Sequence, residues 1–276
     1  MITTAVEPEI NIVADEDLAI DAIAFDIETG PLADEILLKL CPEFVAPPRP
    51  GEFDAAAVKY GNTKDPAKRA EKLAQCQADH ALAVKDYDTN LAVAQADHFA
   101  KFKSEAALSA ATGHIVAIGT LIDGNAAAID CDGRGDGDQD AEAEGLKHWW
   151  NLVAECLKEQ RPMVGLNIFG FDLPFTVRRS WILGVPVPAG VRVANRWSPL
   201  FVDLMYSWML GGRDMIGLNN LALAFGLPGK VTEVNGVKID GAHFYQAWRE
   251  NRQVAEAYLK RDLELPAMLA VKMGVI

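Results

Sequence analysis

The chain has 276 residues, half of them hydrophobic, and a formal net charge of −13. That is enough apolar material for one domain with a sizeable core and an elaboration, too little for a polymerase as well, and acidic enough to argue against a surface that binds nucleic acid everywhere. No apolar run approaches the length of a membrane span, Met1 to Leu18 lacks the basic start of a signal peptide, and Cys41, Cys76, Cys131 and Cys156 form no C-x-x-C pair, which together read as a cytoplasmic chain with reduced thiols.

In chain order, Ala22 to Glu28 reads as a first strand that stops near Gly30-Pro31. Cys41 to Gly51 is proline-rich and extended. Pro66 to Ala111, alanine-rich, charged and free of glycine, is a long helix or a helical hairpin bending near Asp86 to Asn90. His114 to Ile122 and Asn125 to Asp130 form a hairpin about Asp123-Gly124. The acidic stretch Asp130 to Asp140 lacks the spacing of a calcium loop and reads as a flexible solvated connection. Ala141 to Glu159 is a helix whose Trp149-Trp150 pair packs on the sheet. Pro162 to Leu166 is a strand, Asp172 to Leu183 a helix and Phe201 to Leu204 a fifth strand. The tail is largely helical from Leu218, interrupted around Gly229 to Gly236, with Val254 to Val271 its last helix. The layout is α/β: a mixed sheet covered by helices, with a mostly helical arm inserted at about 41–112 of a single domain spanning 1–276.

Five residues stand out chemically. Asp26 and Glu28 alternate with Phe25 and Ile27, so they share one face of a core strand. Two such carboxylates repel each other unless a divalent cation sits between them or the strand end turns them to solvent. Asp172 opens a helix with Pro174 in its first turn, which fits an ordinary N-cap as well as a ligand. Tyr258 and Asp262, at i and i+4, share a face of the last helix, beside the charged Lys260, Arg261 and Glu264 of a solvated face. His114, His148 and His243 have no companions at ligand spacing and read as structural.

In this order, FDIETG, NIFGFD and Tyr258-Leu259-Lys260-Arg261-Asp262 resemble the three motifs of the DEDD superfamily of 3'-5' exonucleases, which are DnaQ-like and have a ribonuclease H-like fold. Tyrosine with three residues before the last Asp is the pattern of the tyrosine (DEDDy) branch, which includes proofreading domains of DNA polymerases. Leu218-Asn219-Asn220-Leu221-Ala222 and Phe225-Gly226-Leu227-Pro228 are similar to segments of exonucleases akin to the family B proofreading domains. The resemblance covers most of the chain outside the arm. It implies a five-stranded sheet with the first strand central, and hydrolysis at a 3' end of DNA, single-stranded or frayed.

It also implies two divalent cations, Mg²⁺ or Mn²⁺, which suit oxygen ligands and sit about 3.5–4 Å apart in such sites. By resemblance Asp26 bridges them, Glu28 and Asp262 complete the water-activating ion, and Asp172 serves the second, directly or through water. Tyr258 orients the attacking water, and Thr29, Asn167 and Phe171 meet the terminal nucleotide, with a base stacked on Phe171. An exoribonuclease is the alternative within this class; a non-catalytic nucleic-acid or protein-binding module is the alternative outside it. Between Arg161 and Arg213 six arginines face only two acids, Asp172 and Asp203, which predicts a positive rim made by Arg178, Arg179, Arg192, Arg196 and Arg213. Lys59, Lys64, Lys68, Arg69 and Lys72 gather near the start of the arm, which reads as packing, as a clamp, or as a dock for a replication or repair protein.

Overall fold

The computed structural model describes residues 21–135, 137–191, 198 and 200–276. Met1 to Leu18, Arg192 and Arg196 lie outside the described residues. Two compact units emerge: one comprises the described residues up to Ala33 together with Ala106–Ile276, and the other is Asp34–Glu105. No helix among the described residues is long and apolar enough to cross a membrane.

The first unit is built on a five-stranded mixed sheet in the order β3-β2-β1-β4-β5. Its strands are β1 (Ile23–Pro31), β2 (Gly113–Ile122), β3 (Asn125–Asp130), β4 (Met163–Gly165) and β5 (Phe201–Asp203). β1 is central, antiparallel to β2 and parallel to β4, and β4 is parallel to β5. The β2–β3 hairpin turns where expected, with Asp123 and Gly124 both at positive φ, the pair of left-handed residues that a two-residue turn needs to match strand twist.

Alternation along β1 divides the core. Ile23, Phe25 and Ile27 point to one face, covered by helices α3 (Gln139–Glu159) and α4 (Asp172–Leu183). Trp149 of α3 is fully buried with its ring 4.9 Å from Phe25, and Trp150 Nε1 donates to Ser180 Oγ of α4 at 2.8 Å. Each such aromatic contributes about 2–3 kcal/mol of burial. Ala24 points to the other face, whose core includes Phe244, Trp248, Tyr258, Leu259 and Leu263 from α7 (Phe244–Glu250) and α8 (Arg252–Met273). Gly119 on β2 is required there, because a Cβ would sit 2.8 Å from Leu259. The remaining helices, α5 (Leu204–Met209) and α6 (Leu218–Ala224), precede a two-stranded ribbon of β6 (Glu233–Val234) and β7 (Val237–Lys238).

The acidic stretch after β3 differs from the solvated loop expected of it. Asp132 is buried against the fully buried His114, Nε2 to Oδ1 2.9 Å, and Asp130 accepts from the backbone N–H groups of Asp132 and Gly133 while pairing with Arg252. Asp138 caps α3 by accepting from Asp140 N and Ala141 N. Charge density alone does not separate such a web from a free loop, because what distinguishes them is a buried histidine contributed by β2.

The second unit holds α1 (Asp34–Leu40) and α2 (Pro66–Glu105), a single unbroken helix with no bend at Asp86 to Asn90. No residue of α2 is buried. The proline-rich segment runs antiparallel along it. His98 Nε2 lies 2.8 Å from Pro42 O, Tyr87 donates to Pro47 O at 2.7 Å, and His80 Nε2 lies 2.9 Å from Gly51 O. Prolines leave carbonyls without matching N–H donors, so helix side chains take those carbonyls and the helix needs no second helix beside it.

The helix stops short of Ala111, and Ala106–Ala111 belong to the first unit. Thr29 Oγ1 donates to Ala107 O at 2.8 Å, Arg179 Nη1 donates to Ala110 O at 3.1 Å, and Leu32 N donates to Thr112 O at 2.9 Å. Excising Asp34–Glu105 and joining Ala33 to Ala106 through a short Gly-Ser linker should therefore leave the melting temperature within a few degrees of the parent. Extending the deletion through Ala111 should lower it sharply, since Arg179 would keep its charge in the core with a partner lost. Equal melting temperatures for the two deletions would contradict this boundary.

Candidate metal centre

β1 carries two of the acids and neighbouring helices bring the others. β4 pairs with β1 only at Ile23 and Ala24 and ends at Gly165, so Ile27 N has no strand partner on that side. Asp172 at the start of α4 supplies one, its Oδ1 accepting from Ile27 N at 3.1 Å. This bond fixes the helix start against the central strand. A Cβ on Gly165 would lie 2.8 Å from Phe25 O, so only glycine lets the chain turn away there. Asn167, at φ 61°, continues the turn, and its N–H and that of Phe169 donate to the two carboxylate oxygens of Asp203 at 2.8 and 2.9 Å. Asp203 is thus a clamp on the turn, and its charge is near enough to raise the Asp172 carboxyl.

On the opposite side α8 presents Tyr258 and Asp262, both buried, to the acid-bearing face of β1. One ligand oxygen from each of Asp26, Glu28 and Asp262 falls within 4.8 Å of the others. Asp172 lies near enough to Asp26 for its charge to raise the Asp26 carboxyl. The four acids and the tyrosine singled out in the sequence therefore converge. Thr29 lies beside them with its hydroxyl committed to Ala107 O, and Phe171 packs on Phe175 with ring centroids 5.4 Å apart.

Crowding shows in the proton affinities. Burial first, then Asp172, Glu28 and Asp262, push the Asp26 carboxyl well above the usual carboxylate range, even though one edge of Asp26 reaches solvent. Glu28 is raised by burial and by Asp262, and Asp172 is pushed up to about 7, chiefly by burial. Asp262 is raised by burial, although Lys230 opposes the shift. Tyr258 is held above its ordinary value by burial, Asp262 and Glu28, so it stays a phenol.

Lys230 is the site residue that sequence reading missed. Its Nζ lies 2.6 Å from Asp262 Oδ2 and donates to Tyr258 Oη at 3.0 Å. Burial works against its charge, but Asp262 and Tyr258 outweigh it and raise its pKa. The residue sits in the interruption between α6 and β6, where no periodicity marks it. The only signal was adjacency, two positions past the Phe225-Gly226-Leu227-Pro228 segment. Asn219 of α6 holds the loop in place, its Oδ1 accepting from Lys230 N at 3.0 Å.

The donor set fits hard divalent cations. It offers carboxylate oxygens only, and Asp262 Oδ1 is buried with no hydrogen-bond partner among the described residues. A buried carboxylate oxygen left unpaired costs about 1–3 kcal/mol or more, a cost that coordination removes.

The arginine rim is revised. Arg179 is buried and fully used, donating from Nε and Nη2 to Glu142 at 2.9 and 2.6 Å, while Glu142 Oε1 also accepts from Ile115 N at 2.9 Å. It locks α4 to α3 and β2 and reaches no substrate. Arg178 is exposed, as is Arg213. His114 and His243 pair with Asp132 and Asp240, consistent with structural roles.

No protein-family model matches the chain, and neither a curated protein nor a solved structure does. The reading of this centre rests on its own residues.

Proposed function

We propose that the chain is a two-metal-ion 3'-5' exonuclease of the DEDD superfamily's tyrosine branch, hydrolysing phosphodiester bonds from the 3' end of DNA. The observation that carries the reading is the convergence of Asp26, Glu28, Asp172 and Asp262, three of them buried, beside a buried Tyr258. Acids so crowded cost stability unless they serve cations, and the central position of β1 in a mixed sheet agrees with a ribonuclease H-like arrangement.

Asp26, Glu28 and Asp262 would hold one cation, and Asp172 with Asp26 the other. When bound, the pair would activate the attacking water and stabilise charge on the leaving 3'-oxygen. Tyr258 keeps its proton, and because its oxygen accepts from Lys230, its own hydrogen is left to donate to Asp262 or to a water. Lys230 also offsets part of the carboxylate charge and fixes the rotamer of Asp262. Phe171, at the start of α4, offers a ring for the terminal base, and Thr29 and Asn167 would meet the same nucleotide, as the resemblance implies.

The test follows 5'-labelled single-stranded DNA and RNA oligonucleotides with Mg²⁺ or Mn²⁺, against an EDTA control and the Asp26→Ala/Glu28→Ala double variant. A metal-dependent ladder shortening from the 3' end and lost in the variant is expected. If folded native protein with either metal cuts neither polymer, a binding module becomes the better reading.

A further inference from the structure

We infer that the exposed face of α4 is a track for the single strand leading away from the catalytic acids, with Trp181 as a stacking platform and Arg178 as a phosphate contact. The inference rests on the exonuclease reading and extends it beyond the terminal nucleotide. At 100° per residue, Phe171, Pro174, Arg178, Trp181 and Ile182 fall on one arc of the helix. The opposite arc, Leu173, Thr176, Val177 and Ser180, is buried. The stripe starts at Phe171, adjacent to Asp172, and follows a helix about 18 Å long.

Along the stripe, exposure is unusual for these residue types. Trp181 is 71% exposed and Ile182 55%, and Leu108, from the segment that faces them, is 70% exposed. Arg178 makes no ion pair or hydrogen bond with any described residue, whereas its neighbour Arg179 is consumed by Glu142. The far wall is continuous with the centre, since Ala107 accepts from Thr29 and Thr29 follows Glu28. An aromatic ring and an unpaired guanidinium, one helical turn apart on a stripe that starts beside Asp172, match a base and its phosphate. A duplex keeps its base faces stacked inside, so the match is to a single strand.

The experiment measures anisotropy of 5'-fluorescein decathymidylate in EDTA, together with hydrolysis of the p-nitrophenyl ester of thymidine 5'-phosphate, which carries a single nucleotide. Trp181→Ala should weaken decathymidylate binding roughly tenfold, and Trp181→Phe should retain most of the affinity. Arg178→Ala should lower the salt slope by about 1. Both alanine variants should hydrolyse the small ester at the parent rate. Unchanged polymer affinity in variants that still hydrolyse the ester would overturn the track and leave the exonuclease reading standing, and the stripe would then be a protein-docking face or bare surface. Parallel loss of ester hydrolysis in Trp181→Ala would also overturn it, by marking a packing defect. Failure of the native protein, with Mg²⁺ or Mn²⁺, to hydrolyse the ester or the labelled oligonucleotides would instead remove the exonuclease reading, and the track with it.

Discussion

Asp26→Ala should reduce phosphodiester hydrolysis by on the order of 10³-fold or more, while Tyr258→Phe slows it only by roughly 10- to 100-fold. The asymmetry follows from position. Asp26 stands between both halves of the acid cluster, since it is grouped with Glu28 and Asp262 and interacts electrostatically with Asp172, so its loss removes the group that joins them. Tyr258 offers one hydroxyl whose proton is never released at neutral pH, and phenylalanine keeps its ring against Phe244 at 6.0 Å. Lys230→Met should resemble Tyr258→Phe in size, because it frees Asp262 Oδ2 and Tyr258 Oη together without removing a ligand. Single-turnover rates at saturating Mn²⁺ distinguish the three. Comparable small losses in Asp26→Ala and Tyr258→Phe would sink the assignment.

Most of the sheet was legible because its signals are local. β1, the β2–β3 hairpin and α4 have periodicity, a turn pair or a proline that fixes them, and the helix from Asp172 to Leu183 has the bounds the sequence predicts. Asp26, Glu28, Asp172, Tyr258 and Asp262 were legible as motif positions, and the α/β topology brings them together. What escaped depends on partners far away in sequence. Arg179 reads like its neighbour Arg178 until Glu142, supplied by α3, takes it inside. Asp132 reads as one solvated acid among many until His114 buries it. Lys230 lies in an irregular connection, and only the approach of α8 gives it a role. The arm looked capable of folding into a hairpin because nothing in α2 shows that a proline-rich strap will cover one face.

In metal-free protein the melting temperature should fall as pH rises from about 5 to 8, and Asp172→Asn should flatten that fall. An acid whose folded pKa is raised above its unfolded value holds its proton longer in the folded state. Its favourable contribution is then present below the unfolded pKa and is lost as pH climbs through the folded one. Asp172, pushed to about 7, titrates within this window, and Asp26, Glu28 and Asp262 shift in the same direction. Ionising such a cluster costs a few kcal/mol, or on the order of 10 °C in a chain of this size. Asparagine at 172 can still accept from Ile27 N, so the substitution removes the titration and leaves the bond that anchors α4. Surface acids with lowered pKa values, such as Asp130 and Asp138, act in the opposite sense. The informative quantity is therefore the difference between parent and variant across pH. Mn²⁺ should reverse the loss, more strongly at pH 8 than at pH 5, because the ligands it binds must first be deprotonated. A parent-minus-variant difference that stays flat across the window in EDTA would show that the acids ionise freely without a cation, and the centre would lose its physical rationale as a metal site.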